Sequence, residues 1–420
     1  MARVRGRGRN LAYNAPVTRH AESLASPRLW LAFATMLLIS GLPNVFVLFL
    51  PPLLDEFHAS RAATALPMSL IWVGGAVMGP VAGWLVARRN PRLVVMAGLV
   101  TAATGMLLGS AARSLPVLVS SIGIVVGIGL GLTGMSTQAA LLAETYSRRR
   151  GVAIGIAFSG SMAAYVVGPV TQRIISGFGW RAAFVCYAAA VLALVPVAWR
   201  VLPTRLGGRG PSPDPTHLVS QETSVGRIVL SLPFWSLLVV FTVPPLFGYL
   251  AITQHALYFP TRGISPQEAS LMLGVGGVLA ASGRVLAGIL ADRVGAPVAG
   301  LVSFSLSVAG VLCLLAMEGW PARLIAYAYV LFLFLPLGSR ATIVSVLLSR
   351  IAGPRNYGPV FGLLGIGNSL GAAVGPWLSG AIFDRTHSYL ALYFTTLGFA
   401  AAGLASLVLF LLTSREPAQG

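Results

Sequence analysis

Charged residues are scarce in this chain, and lysine is absent. Only 10% of the 420 residues are charged and 56% are hydrophobic. Because there is no lysine, all 29 basic residues are arginine. A soluble globular domain carries charge on about a quarter of its residues, so the composition excludes that class and indicates a multi-pass membrane protein. The net charge of +18 does not indicate a nucleic-acid partner, because the arginines lie mainly in the predicted loops of one membrane face.

Metal-binding and nucleophilic residues are also few. The only cysteines, Cys186 and Cys313, each lie within an apolar run, which excludes a disulfide framework or a metal cluster. The glycine-rich run 123–134 follows no strand and lacks phosphate-loop spacing, which argues against a nucleotide site. No histidine, cysteine or carboxylate cluster lies within the apolar runs, so we expect neither an enzyme nor a cofactor.

Twelve apolar runs are long enough to cross a bilayer as helices, with the first at about 29–51 and the eleventh at about 359–382. The only long polar connection, 202–227, is rich in proline, glycine and serine and is expected to be a cytoplasmic linker between six-span halves at 28–201 and 228–414. The predicted fold is therefore an all-α membrane protein with twelve transmembrane helices in two pseudo-symmetric six-helix halves. The polar segment 1–27 is expected to be a disordered cytoplasmic tail rather than a signal peptide, and 415–420 a second cytoplasmic tail.

Arginine counts predict the orientation of these spans. With the N-terminus in the cytoplasm, cytoplasmic segments hold twenty arginines. The opposite side holds seven, which are Arg61, Arg113, Arg173, Arg181, Arg262, Arg323 and Arg385. Because basic residues accumulate in cytoplasmic loops, we expect both termini in the cytoplasm and the protein in the plasma (cell inner) membrane.

The two halves repeat short sequences at matching positions. Residues 83–88 after span two read GWLVAR, and residues 288–293 after span eight read GILADR. Gly168-Pro169 in span five matches Gly375-Pro376 in span eleven. Internal duplication, with binding sites where the repeats meet, is an architecture of transporters.

These residues resemble the major facilitator superfamily over about residues 28–414. The turn from Gly288 to Gly295, GILADRVG, is similar to its loop signature G-x-L-A-D-R-x-G. The resemblance implies that Asp292 and Arg293, with Gly288, Gly295 and Arg88 of the first-half copy, gate the cytoplasmic side. The first copy has Ala87 and Asn90 where the signature has aspartate and its second glycine.

Within that superfamily the chain resembles the monocarboxylate transporter and oxalate/formate exchanger branch. The resemblance rests on four stretches, which are 146–160, Gly168-Pro169 with 179–184, 255–265, and 380–384 with Ser388-Tyr389. This branch has an arginine in span eight four residues before a glycine, and Arg284 with Gly288 fits. Mammalian members add an aspartate four residues before the arginine and a lysine in span one. Here that position is Ala280 and the sequence has no lysine, which argues against their route of proton coupling.

Arg284 is the strongest candidate for binding a ligand. It lies within the apolar stretch 269–295, about 12 Å of helix from Asp292, which is too deep for its head to reach the membrane surface. An arginine at that depth costs roughly 2.5–3.5 kcal/mol on insertion scales. A guanidinium can bind a carboxylate through two parallel hydrogen bonds. The alternative is a structural arginine that binds helix-end carbonyls.

Arg340 is the second basic residue with apolar flanks, in span ten after Pro336. It could contact an anion and select dicarboxylates or larger acids. It could equally bind the backbone that Pro336 frees.

Acidic residues are absent from the interior of every span, although proton-coupled transporters commonly use such a residue as the relay. This favours anion exchange, uniport, or symport in which the anion or a histidine carries the proton. His255, near the outer end of span seven, is the candidate relay, and an inert interfacial histidine is the alternative. Uncharged polar residues that could line a cavity, or instead bond neighbouring helices, are Asn44, Tyr165, Tyr249 and Asn368.

The sequence thus predicts secondary transport of a small organic anion, a mono- or dicarboxylate, by alternating access. Arg284 would bind the carboxylate and Arg340 would assist. Expected partners are the anion, a proton or counter-anion, and membrane lipid, with the protein as a monomer and without nucleic acid. The rival interpretations are efflux of drugs or other hydrophobic compounds, for which an acidic cavity would be expected, and a non-transporting membrane sensor.

Overall fold

The computed structural model describes residues 24–146, 150–205, 225–320 and 322–414. Within these ranges the chain forms helices and no strand. The predicted tails fall largely outside the described residues, at 1–23 and 415–420, as does most of the predicted linker, at 206–224. A short helix, Val225–Val229, begins before the predicted end of that linker.

Twelve spanning helices lie within the described ranges, which confirms the predicted fold class. Eleven segments are long and apolar enough to cross a membrane, and one of them, Gly151–Val201, has 51 residues. As a single helix it would be about 76 Å long, more than twice the thickness of the hydrocarbon core. It is two spans, because Gly179 interrupts the helix with φ 81° and ψ 166°.

We number the spanning helices α1 to α12 in chain order. They are α1 (Pro27–Phe57), α2 (Arg61–Arg88), α3 (Pro91–Ser110), α4 (Leu115–Thr145), α5 (150–178), α6 (180–201), α7 (Leu232–Thr253), α8 (Pro266–Val294), α9 (Ala296–Ala316), α10 (Ala322–Leu337 and Arg340–Leu348), α11 (Pro354–Thr386) and α12 (Tyr389–Thr413). A short helix, His255–Thr261, follows α7.

The two copies of the repeated turn end their helices differently. After α8, Gly295 takes φ 87°, a conformation that favours glycine because it has no Cβ. After α2, the chain is extended at Arg89 and Asn90, and the Asn90 side chain accepts a hydrogen bond from the Arg92 backbone N–H at 3.1 Å. Asn90 therefore caps α3, which accounts for the departure from glycine in the first copy.

Helices α1 and α7 lie deepest in the bundle. Of their most apolar windows, 78% and 72% of the residues are buried, larger shares than in the other spans. The halves meet along α2 with α11 and along α5 with α8. We call the two ends of the bundle the Arg61 end, where α2 begins, and the Asp292 end, where α8 finishes.

Small residues let the two halves approach closely. A Cβ at Gly277 of α8 would lie 2.7 Å from Tyr165 Cβ of α5, and one at Gly380 of α11 would lie 2.6 Å from Ala62 Cα of α2. Such small-residue contacts are how membrane helices pack. They bring the halves together at Gly277 in the middle of the bundle and at Gly380 at the Arg61 end.

Candidate functional site

Asn44 joins three central helices near the middle of the bundle. Its side-chain amide donates to the Ser161 carbonyl of α5 at 2.7 Å. Its Oδ1 accepts a hydrogen bond from the Tyr249 hydroxyl of α7 at 3.2 Å. Asn44 is 1% exposed, so these bonds satisfy a buried amide and link the N-terminal half to the C-terminal half.

Tyr165 and Tyr249 extend this cluster with aromatic surface. Tyr165 lies in a 3₁₀ turn, Ala164–Val167, just before Gly168-Pro169, where proline disrupts the regular helix. Its ring packs edge-on against Phe334 of α10, with 5.4 Å between centroids. Trp72 of α2 lies against Tyr249 at 5.8 Å. The structure therefore brings three of the predicted lining residues, Asn44, Tyr165 and Tyr249, into one layer.

Arg284 is only partly buried and uses one of its donors on the protein. Its Nε donates to the Gly338 carbonyl at 3.3 Å, where α10 is interrupted between Leu337 and Arg340. A Cβ at Gly283 or Gly338 would overlap the facing backbone, so α8 and α10 approach closely here. No Nη hydrogen bond of Arg284 is made to any described residue, and those two nitrogens are available to a ligand.

The face of α8 that carries Arg284 also carries Gly277. Seven residues are about two helical turns, or 10 Å, so Arg284 lies nearly in line with Gly277. Since Gly277 packs on Tyr165, Arg284 lies on the face turned towards the N-terminal half, two turns closer to the Asp292 end. Arg284 and the aromatic layer thus lie on the same side of α8, at the interface of the halves.

Arg340 is buried within its own half, with 5% exposure. Its Nη2 donates to the Ser303 carbonyl at 3.0 Å and to the Ser307 hydroxyl at 2.6 Å. Its guanidinium lies 3.8 Å from the Phe304 ring centroid. These contacts are all with α9 rather than with the backbone near Pro336. Nε and Nη1 have no hydrogen-bond partner among the described residues.

Asn368 and His255 lie in different surroundings from Arg284. Asn368 donates to the Phe241 carbonyl at 3.0 Å, which joins α11 to α7. His255 is buried beyond the end of α7, with Nε2 3.1 Å from the Ala269 carbonyl oxygen and its ring 3.9 Å from the Phe259 centroid. Its Nδ1 has no partner among the described residues. The lining role of Asn368 and the relay role of His255 stay predictions.

No side-chain hydrogen bond or ion pair between described residues joins the predicted gate residues to one another. Asp292 and Arg293 are exposed and form no hydrogen bond or ion pair within the described chain. Arg88 is exposed and lies over the Trp84 ring at 5.1 Å. A Cβ at Gly288 would meet nothing within 4 Å, and Gly295 forms the turn described above. Their gating role stays a prediction.

Ion pairs cluster at the Arg61 end. Three of the seven arginines assigned to that side pair with glutamate, as Arg181–Glu56, Arg262–Glu318 and Arg323–Glu268. The Glu318 carboxylate, through its hydrogen bond, holds the pKa of Arg262 above its usual value. Each pair joins residues of one half. No cluster of histidine, cysteine, aspartate and glutamate that could hold a metal occurs in the described ranges.

Sequence reasoning missed Trp72, Arg61 and Asp384 as interface residues. From the sequence alone, Arg61 was counted only among the loop arginines. Asp384 was included only in stretch 380–384, which resembles the transporter branch. The Asp384 carboxylate accepts hydrogen bonds from the backbone N–H groups of Arg61 and Ala62, and the Arg61 side chain reaches Gln254 and Tyr389. No local pattern signals a contact between residues 323 apart in the chain.

Comparisons with known proteins agree with this architecture. Residues 29–339, and in a second overlapping match residues 263–420, match the Major Facilitator Superfamily. Monocarboxylate transporter 11 of Mus musculus is 31% identical over 388 residues, covering 89% of this chain and 84% of that protein. Monocarboxylate transporter 13 of Bos taurus is 28% identical over 386 residues, covering 90% and 87%.

The chain is also similar in fold to solved structures. A bacterial homologue of the human lysosomal transporter Spinster, in an inward-facing and occupied conformation, superimposes with a TM-score of 0.72 at 17% identity, covering 93% of this chain and 98% of that one. The same homologue's inward-facing, unoccupied form gives 0.66 at 18% identity, with 92% and 95% covered. At these identities the likeness concerns the fold alone.

Proposed function

Because this chain belongs to the Major Facilitator Superfamily and is a transporter rather than an enzyme, we propose that it carries a small organic anion, a mono- or dicarboxylate, by alternating access. The observation that carries the proposal is Arg284. Its side chain is partly buried at the interface of the halves, and among the described residues only its Nε donates a hydrogen bond to the protein. Its Nη groups match the two oxygens of a carboxylate. Monocarboxylate transporters among the relatives support the same substrate class.

The balance of charge also supports an anion. The acidic residues of the spanning helices lie near the helix ends and not in the middle of the bundle; they are Asp55, Glu56, Glu144, Glu268, Asp292 and Asp384. A bound carboxylate would therefore be the counter-ion that Arg284 lacks. The layer of Asn44, Tyr165 and Tyr249 would orient the substrate and offer apolar surface to its body, with Asn368 on the α11 side. For a substrate with two carboxylates, Arg340 is the proposed second contact, since its Nε and Nη1 are unpaired among the described residues.

We propose that the protein lies in the plasma membrane as a monomer surrounded by lipid. Both termini would lie in the cytoplasm. Twenty arginines then lie on the cytoplasmic side against seven outside, and three of the outer ones are neutralised by glutamate. The Arg61 end is thereby the outer end. Seven hydrogen bonds between described residues join the halves, and all lie at the Arg61 end or in the middle. We infer that the central site is closed at the Arg61 end in this conformation.

Uptake into proteoliposomes tests the proposal. Labelled mono- and dicarboxylates would be offered to the wild type, to Arg284→Ala and to Arg385→Gln, with and without an imposed pH gradient. Arg385 is exposed at the Arg61 end and serves as the matched control. We expect uptake by the wild type and the control and its loss in Arg284→Ala. Stimulation by an inward proton gradient would support symport, with His255 as the relay to test next. If no carboxylate enters with any variant, hydrophobic-compound efflux and a sensor role become the alternatives.

A further inference from the structure

The first turn of α2 is completed by a residue of the other half. Asp384 of α11 accepts hydrogen bonds from the backbone N–H of Arg61 at 3.0 Å and of Ala62 at 2.8 Å, one on each carboxylate oxygen. Helix starts leave their first N–H groups unpaired and favour negative charge. Within its own half, α2 has only the Ser60 side chain, which accepts from Ala63 N–H at 3.2 Å. Asp384 thus caps a helix across the interface.

The Arg61 side chain crosses the interface in the opposite direction. Its Nη1 donates to Gln254 Oε1 at 2.8 Å and to the Tyr389 hydroxyl at 2.9 Å. Its guanidinium lies 3.4 Å from the Phe383 ring centroid, which adds a cation–π contact. One side chain of the N-terminal half therefore holds the ends of α7 and α11 and the start of α12.

Gly380 makes this reciprocal contact geometrically possible. It lies one helical turn before Asp384 on α11, against the backbone of Arg61 and Ala62. Any side chain at 380 would separate α2 from α11 and carry the Asp384 carboxylate away from the two N–H groups. Four of the seven hydrogen bonds that join the halves within the described chain belong to Arg61 and Ala62.

We propose that Arg61 and Asp384 form a latch that holds the halves together at the Arg61 end and has to release before the central site can open there. The latch rests on the alternating access proposed above. It differs from a single ion pair, because the carboxylate binds backbone N–H groups and the guanidinium binds neutral acceptors and rings. Loss of either side chain would break its own set of bonds and favour opening at the Arg61 end.

Distance measurements between spin labels test the latch without any substrate. In a background with Cys186 and Cys313 replaced by alanine, one label pair at Arg113 and Trp320 reports on the Arg61 end. A second pair at Arg89 and Arg350 reports on the Asp292 end. These four residues are exposed and lie on opposite halves. The latch variants are Arg61→Ala and Asp384→Ala, and Arg385→Ala is the control.

We expect each latch variant to increase the population with the longer Arg113–Trp320 distance about tenfold, because charge-assisted hydrogen bonds are lost. The Arg89–Arg350 distance should shorten in the same fraction of molecules, and the control should match the wild type. If either latch variant does not purify as a folded protein, Arg61→Gln is measured in its place. Unchanged distances in folded latch variants would overturn the latch, even if the wild type transports carboxylates. Lack of carboxylate transport alone would count against the proposed substrate and leave the distance result standing.

Discussion

The two arginines inside the apolar spans have different surroundings, although they are the same residue type at similar depth. Arg284 faces the interface of the halves, is partly exposed, and gives one hydrogen bond to the protein. Arg340 is buried in its own half, bonded to two residues of α9 and packed on Phe304. One guanidinium leaves both Nη atoms without a partner among the described residues, whereas the other bonds α10 to α9. The sequence flanks of the two are similarly apolar and do not distinguish them.

The largest expected effect comes from removing the interface guanidinium. Arg284→Ala should lower carboxylate uptake at least about 100-fold, since two charge-assisted hydrogen bonds contribute about 3 kcal/mol or more. Arg284→Lys keeps the charge but not the paired donors and should retain intermediate uptake. Initial rates at matched protein incorporation would measure both. Equal uptake by the lysine variant and the wild type would mean that a point charge suffices.

A second change displaces Arg284 without altering it. Gly338→Ala adds a methyl group where the Ala280 carbonyl already lies, so α8 and α10 should separate at a cost of about 1–3 kcal/mol. We expect uptake to fall about tenfold and the melting temperature to drop. Gly353→Ala is the control, because a Cβ there meets nothing within 4 Å. Similar uptake by both variants would show that the α8–α10 spacing does not position Arg284.

A third change, at Arg340, tests whether the two arginines have different roles. Arg340→Leu should leave monocarboxylate uptake within about threefold of the wild type and reduce dicarboxylate uptake more. Its melting temperature should hold or rise, because replacing a buried charge by an apolar residue is often neutral or stabilising. A loss of monocarboxylate uptake as large as that of Arg284→Ala would place the main anion contact at Arg340 instead.

The smallest effect is expected one turn beyond Arg284. Gly288→Ala fills empty space and should stabilise α8 by about 0.5–1 kcal/mol, with uptake within about twofold of the wild type. Thermal unfolding and uptake of the same preparation would be compared. If the melting temperature rises while uptake is lost, then a side chain at position 288 is tolerated in this conformation but not in the alternate conformation of the transport cycle. That result would support the predicted gating role of Gly288.

Apolar run length was enough to predict the twelve-helix fold, but not where its helices end. Helix α1 was expected to stop near 51 and continues to Phe57, since Pro51 and Pro52 begin a new helical segment after a 3₁₀ turn. Helix α11 was expected from 359 and begins at Pro354. Hydropathy reports where a helix leaves the apolar layer, and these helices continue beyond it.

The candidate site could be predicted only in part. Intramembrane depth identified Arg284 and Arg340, and polarity within apolar spans identified Asn44, Tyr165 and Tyr249, which the structure brings together. Which way Arg340 points could not be predicted, because α10 is apolar on every side and offers no periodicity to orient it. The partnership of Arg61 with Asp384 depends on the packing of α2 against α11, which no local sequence pattern encodes.

The unmatched charge of Arg284 has an electrical consequence for a carrier of the proposed kind. The empty site carries one positive charge, whereas a site holding a monocarboxylate is neutral. Each elementary charge that crosses the membrane field changes the energy by about 2.3 kcal/mol per 100 mV. An inside-negative membrane would therefore hold the empty carrier facing inward and slow its return. Net uptake would depend on voltage, whereas exchange of one bound anion for another would not.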